Sequence, residues 1–236
     1  MKNFIRTFAL PVTLLVTLFS VSANVAAATP ASKTNDPLKI AEPREYKPTA
    51  TDKLGVNENN KGLKVGERAE ELTINDMHGK PYPIKNAWQE NPALIVFYRG
   101  GWCPFCNMQV RELATNYDKL KAAGVQPLLI SVDEPEKSAM VSAEYDIPFP
   151  VLSDPNLIAH NAFNVVLELD DATLEKYKEY GINLQDWSGK GHNSIAVASA
   201  FLIDTSGHVV VSHAPEDYTS RPSVEQLLAL IEKMGP

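Results

Sequence analysis

The chain has two cysteines, Cys103 and Cys106, and both lie in Gly101-Trp102-Cys103-Pro104-Phe105-Cys106. Thiols at this spacing can close a disulfide with each other, so a two-electron redox cycle needs no third cysteine. The apolar run Ala93 to Tyr98 predicts a strand leading into the pair. The stripe Cys106, Val110, Leu113, Tyr117 and Leu120 predicts a helix leaving it, from about Pro104 to Ala123 and ended by Gly124. A helix N-terminus favours thiolate, the nucleophilic form of cysteine. Pro104 suits the first helical position, which makes Cys103 the N-cap. On that geometry Cys103 is the more exposed, attacking thiol. Cys106, one turn in on the buried face, is the sheltered resolving one, where burial works against thiolate.

Two other uses of the pair fit less well. A disulfide closing so small a loop gains little loop entropy, so it is a poor structural staple. A zinc site would need two further ligands, and none of the five histidines stands in a ligand-like spacing with the pair. No metal or cofactor is expected.

Several neighbours could assist. Arg99, at the strand end, would lower a thiol pKa if its guanidinium faces the site. Trp102 could pack beside the disulfide and shape a docking surface, or simply fill space. Arg111 and Arg221 are further candidate cations, though each reads more simply as a surface or salt-bridging arginine. His192, in the loop Ser188-Gly189-Lys190-Gly191-His192-Asn193, could shuttle a proton but reads more simply as a solvated loop histidine. Asp76 and His78 read as turn residues.

The surrounding pattern is that of an α/β fold. Leu72 to Ile74, with Asp76 to Lys80 after it, reads as strand, turn and second short strand. After the redox segment come a strand at 125–132, a helix at 134–145, an extended piece at 149–152 and a helix at 156–163. Residues 165–194 are less regular. Ala200 to Asp204 and His208 to Ser212 form a hairpin around Thr205-Ser206-Gly207, and an amphipathic helix covers about 223–233.

Before the domain, Lys2 and Arg6 precede the apolar run Phe8 to Val21, and small residues follow through Ala28. This layout predicts a cleaved secretory signal peptide over residues 1–28, hence an exported, periplasmic protein; an uncleaved anchor is the other reading. Residues 29–62 read as a polar extension or linker, mobile or draped over the surface, and residues 63–236 as the domain. Without Lys2 and Arg6 the 22 basic residues fall to 20 against 29 acidic ones, about −9 in net charge. An acidic chain with no basic run argues against nucleic acid, and against anionic membrane surfaces, as partners. No membrane insertion of the mature chain is expected. Outside the cytoplasm a working C-x-x-C needs either an oxidant or a dedicated electron donor.

Trp102-Cys103-x-x-Cys106 between strand and helix is similar to the thioredoxin active-site layout, and Cys-Pro-Phe-Cys to the glutaredoxin form. Over residues 63–233 the chain more closely resembles the alkyl hydroperoxide reductase/thiol-specific antioxidant (peroxiredoxin) family. The resemblance rests on Leu63-Lys64-Val65-Gly66-Glu67 with Gly79-Lys80, on Phe97-Tyr98-Arg99-Gly100-Gly101-Trp102-Cys103-Pro104-Phe105-Cys106, on Ala200-Phe201-Leu202-Ile203-Asp204 with Gly207, and on Glu216 to Arg221. It implies a thioredoxin-like fold, a central mixed sheet flanked by helices, and a thiol peroxidase cycling between dithiol and Cys103–Cys106 disulfide. A hydroperoxide would be the substrate and an external dithiol the electron donor. Aligned on Phe97-Tyr98, Cys106 falls at the family's peroxidatic cysteine and Cys103 at its Thr/Ser three residues earlier. The family's catalytic arginine falls at Ala198, which can neither stabilise a thiolate nor bind a peroxide oxygen. The alternatives are a thiol–disulfide oxidoreductase attacking protein disulfides through Cys103, and a binding module that uses neither thiol.

Overall fold

The computed structural model describes residues 38–233. The predicted signal peptide lies outside the described residues. In chain order the strands and helices are β1 (Lys47–Pro48), β2 (Thr73–Asp76), β3 (Pro81–Pro83), β4 (Ala93–Phe97), α1 (Pro104–Thr115), α2 (Tyr117–Ala122), β5 (Gln126–Ser131), α3 (Pro135–Glu144), β6 (Val151–Ser153), α4 (Ile158–Ala162), β7 (Val166–Glu168), α5 (Asp171–Glu179), α6 (Leu184–Ser188), β8 (Ser194–Ala196), β9 (Ser199–Ile203), β10 (Val209–His213), β11 (Ser220–Arg221) and α7 (Val224–Glu232). Among them no helix is long and apolar enough to cross a membrane.

The main sheet has the order β10-β9-β4-β5-β6-β2-β3. Strands β4, β5 and β6 run parallel, while β9 pairs antiparallel with both β4 and β10. Strand β4 lies inside the sheet between β9 and β5, and all five of its residues are buried. Successive side chains point to opposite faces, so β4 feeds two cores. Leu94, Val96 and then Tyr98 join Cys106, Val110, Leu113 and Leu129 on one face. Ala93, Ile95 and Phe97 join Leu128, Ile130, Phe163 and Phe201 on the other. This continuous apolar run is what a strand covered on both faces requires, and it fixes where the redox turn begins. The fold is the mixed sheet flanked by helices that the sequence predicts.

Two regions differ from the sequence expectation, and a third takes one of the two readings it left open. The helix after the cysteines is two helices, broken at Asn116 (φ −103°, ψ 17°). There the Asn116 side chain donates to the Glu112 carbonyl (2.9 Å), a local bond that competes with helical continuation. Residues 165–194, read as irregular, contain β7, α5 and α6. Helix α5 is capped by Asp170, whose carboxylate accepts from the Thr173 N–H at 2.7 Å.

The third region is the extension. Residues from 38 onward belong to the same compact unit as the rest and run as an arm along the start of α1. The Ala41 N–H donates to the Gly101 carbonyl (2.9 Å), Arg44 to that of Pro104 (3.0 Å) and Thr49 to that of Arg221 (2.8 Å). Strand β1 pairs in parallel with β11, and Ile40 is buried against the core. Ile40 and Leu38 packed on the core, the buried Thr49 and a row of backbone hydrogen bonds hold the arm. Such a segment carries no apolar periodicity for the sequence to reveal.

Candidate active site

The redox turn is clamped from three sides. Cys103 is the N-cap of α1 and Pro104 its first residue, as the sequence predicts. The Cys103 N–H donates to the Gly100 carbonyl (3.0 Å), and the Cys103 carbonyl accepts from Asn107 (3.0 Å). The Asn107 amide donates to the carbonyls of Gly101 (2.8 Å) and Ala41 (2.7 Å), tying turn and arm together. Asp133, just past β5, accepts from the Gly101 N–H at 2.8 Å. Gly101 has no room for a side chain: a Cβ would meet Ile40, Val141 and Trp187, each at 2.8 Å.

The expectation that Cys103 is the exposed thiol is overturned. Both thiols are buried, Cys103 1% and Cys106 0% exposed. Their Sγ atoms lie 2.7 Å apart. Of the two charge orders the sequence leaves open, the surroundings of the sulfurs favour thiolate at Cys106. The Cys106 sulfur accepts from the Arg99 backbone N–H at 3.5 Å and from the Arg221 guanidinium at 3.2 Å. Burial pushes the Cys106 thiol up. The hydrogen bond with Cys103, the charges of Arg221 and Arg99 and the Arg99 N–H together outweigh burial and bring it down to about 6. Cys103 moves the other way, pushed well up by burial and then by its hydrogen bond to Cys106. The pair thus holds its proton on Cys103 and its negative charge on Cys106.

Arg221 is 1% exposed and reaches the thiol because β1 and β11 pin its backbone. The reading of Arg221 as a surface arginine does not hold. Arg99 also faces the site; its guanidinium lies 3.9 Å from the Tyr218 ring centroid, 5.2 Å from that of Trp102 and 5.6 Å from that of Tyr177. Trp102 packs against Tyr177, with centroids 5.3 Å apart. Arg111 is exposed on α1. His192 is held in its own loop, donating to the Pro155 carbonyl (3.0 Å) and accepting from the Ser194 N–H (3.0 Å). Asp76 accepts from His78 and Lys80 and is a turn residue, with its Oδ1 taking both N–H groups.

Sequence reasoning missed two groups. Asp133 is fully buried, and burial pushes its carboxyl up to about 7 despite the Gly101 hydrogen bond. Asn107 is buried and organises the turn. A polar residue on the first turn of an otherwise buried helix face was the one signal for Asn107; Asp133 carried none. Ala198 is buried and lines an open cleft of about 270 Å³ with Arg99, Leu167, Val197, Pro215 and Tyr218.

A vicinal dithiol at the N-terminus of a helix that follows a central strand defines a thiol oxidoreductase of thioredoxin-like fold. The model of the AhpC/TSA family matches residues 65–212, and the chain belongs to that family. It is 30% identical to peroxiredoxin Bcp of Escherichia coli K12 over 156 residues, 66% of this chain and 87% of that protein. It is 27% identical to a putative peroxiredoxin of Mycobacterium tuberculosis over 150 residues, 64% of this chain and 84% of that one. Among solved structures, peroxidoxin BcpB of Mycobacterium tuberculosis superposes with a TM-score of 0.58 at 17% identity, covering 74% of this chain and 99% of that one. The chain is a peroxiredoxin-type enzyme, a thiol peroxidase.

Proposed function

We propose that this protein is an exported peroxidase in which Cys106 attacks the hydroperoxide and Cys103 resolves. The observation that carries the reading is the environment of the Cys106 sulfur: a guanidinium at 3.2 Å, a backbone N–H at 3.5 Å and the second sulfur at 2.7 Å. The Cys106 thiolate attacks the terminal peroxide oxygen and the O–O bond breaks. Cys106 becomes a sulfenic acid, and the alkoxide or hydroxide leaves with a proton as alcohol or water. The Cys103 sulfur then attacks the Cys106 sulfur, and the sulfenic oxygen departs as water. An external dithiol reduces the resulting disulfide. Arg221 and Arg99 take the task that Ala198 cannot perform, holding positive charge at the reacting sulfur.

The test is peroxide consumption by the reduced, signal-free protein, followed by mass. Loss of two hydrogens within seconds, giving one Cys103–Cys106 disulfide, is expected. Cys106→Ser should abolish the reaction with peroxide. Cys103→Ser should still react, stopping at the sulfenic acid. Loss of peroxide reaction in Cys103→Ser with retention in Cys106→Ser would reverse the roles. Thiols that survive peroxide for minutes yet are consumed by a protein disulfide would replace this reading with the oxidoreductase. Fractionation of the producing cells tests export.

A further inference from the structure

Both guanidinium side chains near the thiols are largely buried, Arg221 1% and Arg99 5% exposed, with Arg99 at the wall of the open cleft that Glu58 and Glu216 also line. Among the described residues neither is ion-paired with a carboxylate. Arg99 rests on aromatic faces. Arg221 donates from one nitrogen to the Cys106 sulfur, and its Nε and Nη1 have no partner. The remaining ionisable groups nearby offer little compensation. Asp133 is bonded to the Gly101 N–H, and Asp217, on the turn before β11, feels Arg221 only at longer range. His213, on β10, is kept neutral by burial and then by Arg221. The Cys106 thiolate is therefore the anion in direct contact with the Arg221 guanidinium and within the field of Arg99.

Closing the disulfide removes that anion. The dithiol, as Cys106 thiolate and Cys103 thiol, gives up two electrons and one proton and becomes a neutral S–S bond. Two buried guanidiniums then lose their counter-ion, and an uncompensated buried charge is costly. We infer that the Cys103–Cys106 disulfide is a strongly oxidising one, less stable in this fold than the dithiol, because Arg221 and Arg99 lose their counter-ion when it forms. The inference rests on the peroxidase cycle proposed above and extends it to the reductant. A dithiol of modest reducing power suffices to regenerate the enzyme. It loses two electrons and two protons and becomes a disulfide; the enzyme takes both electrons and one proton, and the other proton is released. Such a partner suits an oxidising compartment, where strong reductants are scarce.

The experiment equilibrates the protein in glutathione redox buffers, quenches with acid and reads the disulfide fraction by mass, for wild type, Arg221→Met and Arg221→Lys. Melting temperatures of the fully reduced and fully oxidised forms are recorded for each. Oxidised wild type should melt below reduced wild type. Arg221→Met should shift the equilibrium at least tenfold toward disulfide, about 30 mV for a two-electron couple, and close the melting gap. Arg221→Lys should stay near wild type. An oxidised form that melts at or above the reduced one, or an Arg221→Met equilibrium equal to wild type, overturns the inference. Because glutathione forms the disulfide without peroxide, a failure of the peroxide step leaves this result readable and is scored separately.

Discussion

Replacing Arg221 by methionine keeps a long side chain in a buried slot and deletes one charge 3.2 Å from the Cys106 sulfur. With an effective dielectric of about 20, the direct attraction at that distance is about 5 kcal/mol. Desolvation of both ions offsets much of it, and a charge-assisted hydrogen bond contributes about 1.5–3 kcal/mol net. At about 1.4 kcal/mol per pKa unit, Cys106 should rise by about 1–2 units. The starting point is about 6, so the variant should titrate at roughly 7–8. The sign follows from the direction of the wild-type shift. The reactive thiolate is present above the depressed pKa and is lost as pH falls through it. At pH 7 the thiolate population should therefore drop by about two- to tenfold. The peroxide rate should drop by at least that factor and recover as pH is raised. The assay is thiolate absorbance in the ultraviolet against pH, run beside stopped-flow peroxide reaction over the same range. An unchanged titration midpoint in Arg221→Met would refute the assignment of Arg221 to the thiolate, and recovery by Arg221→Lys would support it.

Asp133→Asn keeps an acceptor for the Gly101 N–H and removes a buried acid whose folded pKa is raised from 3.8 to about 7. A raised acid loses stability as pH climbs from the unfolded to the folded value, so the variant should gain about 4 kcal/mol at pH 8 and little at pH 4 by thermal melting. Equal changes at both values would sink the argument. Ala198→Arg restores the family's arginine beside Arg99 in the cleft. A third cation next to two buried ones should lower the melting temperature and leave peroxide turnover no faster, which a rate increase would contradict. Ile40→Ala removes one anchor of the arm, 8% exposed. It should cost about 2–4 kcal/mol and speed alkylation of both thiols, whereas unchanged alkylation would show that the arm does not control access.

The sheet was legible because β4 repeats apolar residues without interruption and β9–β10 surround a Gly-containing turn; both are local signals. The redox turn was equally legible, since strand, N-cap, Pro104 and helix stripe all lie between Ala93 and Leu120. What failed was everything set by contact across the chain. Arg221 stands 115 positions from Cys106 and looks like any surface arginine until β1, drawn from a polar extension, pairs with β11. Asp133 looks like a turn acid until Gly101 docks on it. The polarity of the extension suggested solvation. Its order comes from backbone hydrogen bonds, which side-chain composition does not report.

The order of the two thiols stayed open in the sequence, between helix geometry pointing to Cys103 and the family alignment pointing to Cys106, for a related reason. A helix N-terminus stabilises an anion by about 0.3–1 kcal/mol when exposed and about 2 kcal/mol at best. That would favour Cys103 if it were the only field present. The Arg221 guanidinium, the Arg99 backbone N–H and a neighbouring S–H converge instead on Cys106, with the Arg99 charge adding its field, and the Arg221 contact alone matches or exceeds the helix effect. Cys103 meanwhile stands where the family has a hydroxyl, and its S–H can serve in the same way, as a donor to the thiolate. That donor is also the sulfur that must later attack, already 2.7 Å from its target. In the proposed cycle one side chain would therefore both lower the barrier to oxidation and shorten the life of the sulfenic acid. It follows that Cys103→Ser should keep much of the first function and lose all of the second. The initial peroxide rate should stay within about tenfold of wild type, while a second equivalent of peroxide carries Cys106 on to sulfinic acid, seen as a gain of two oxygens by mass. A variant that stops reacting with peroxide altogether would refute this division of labour.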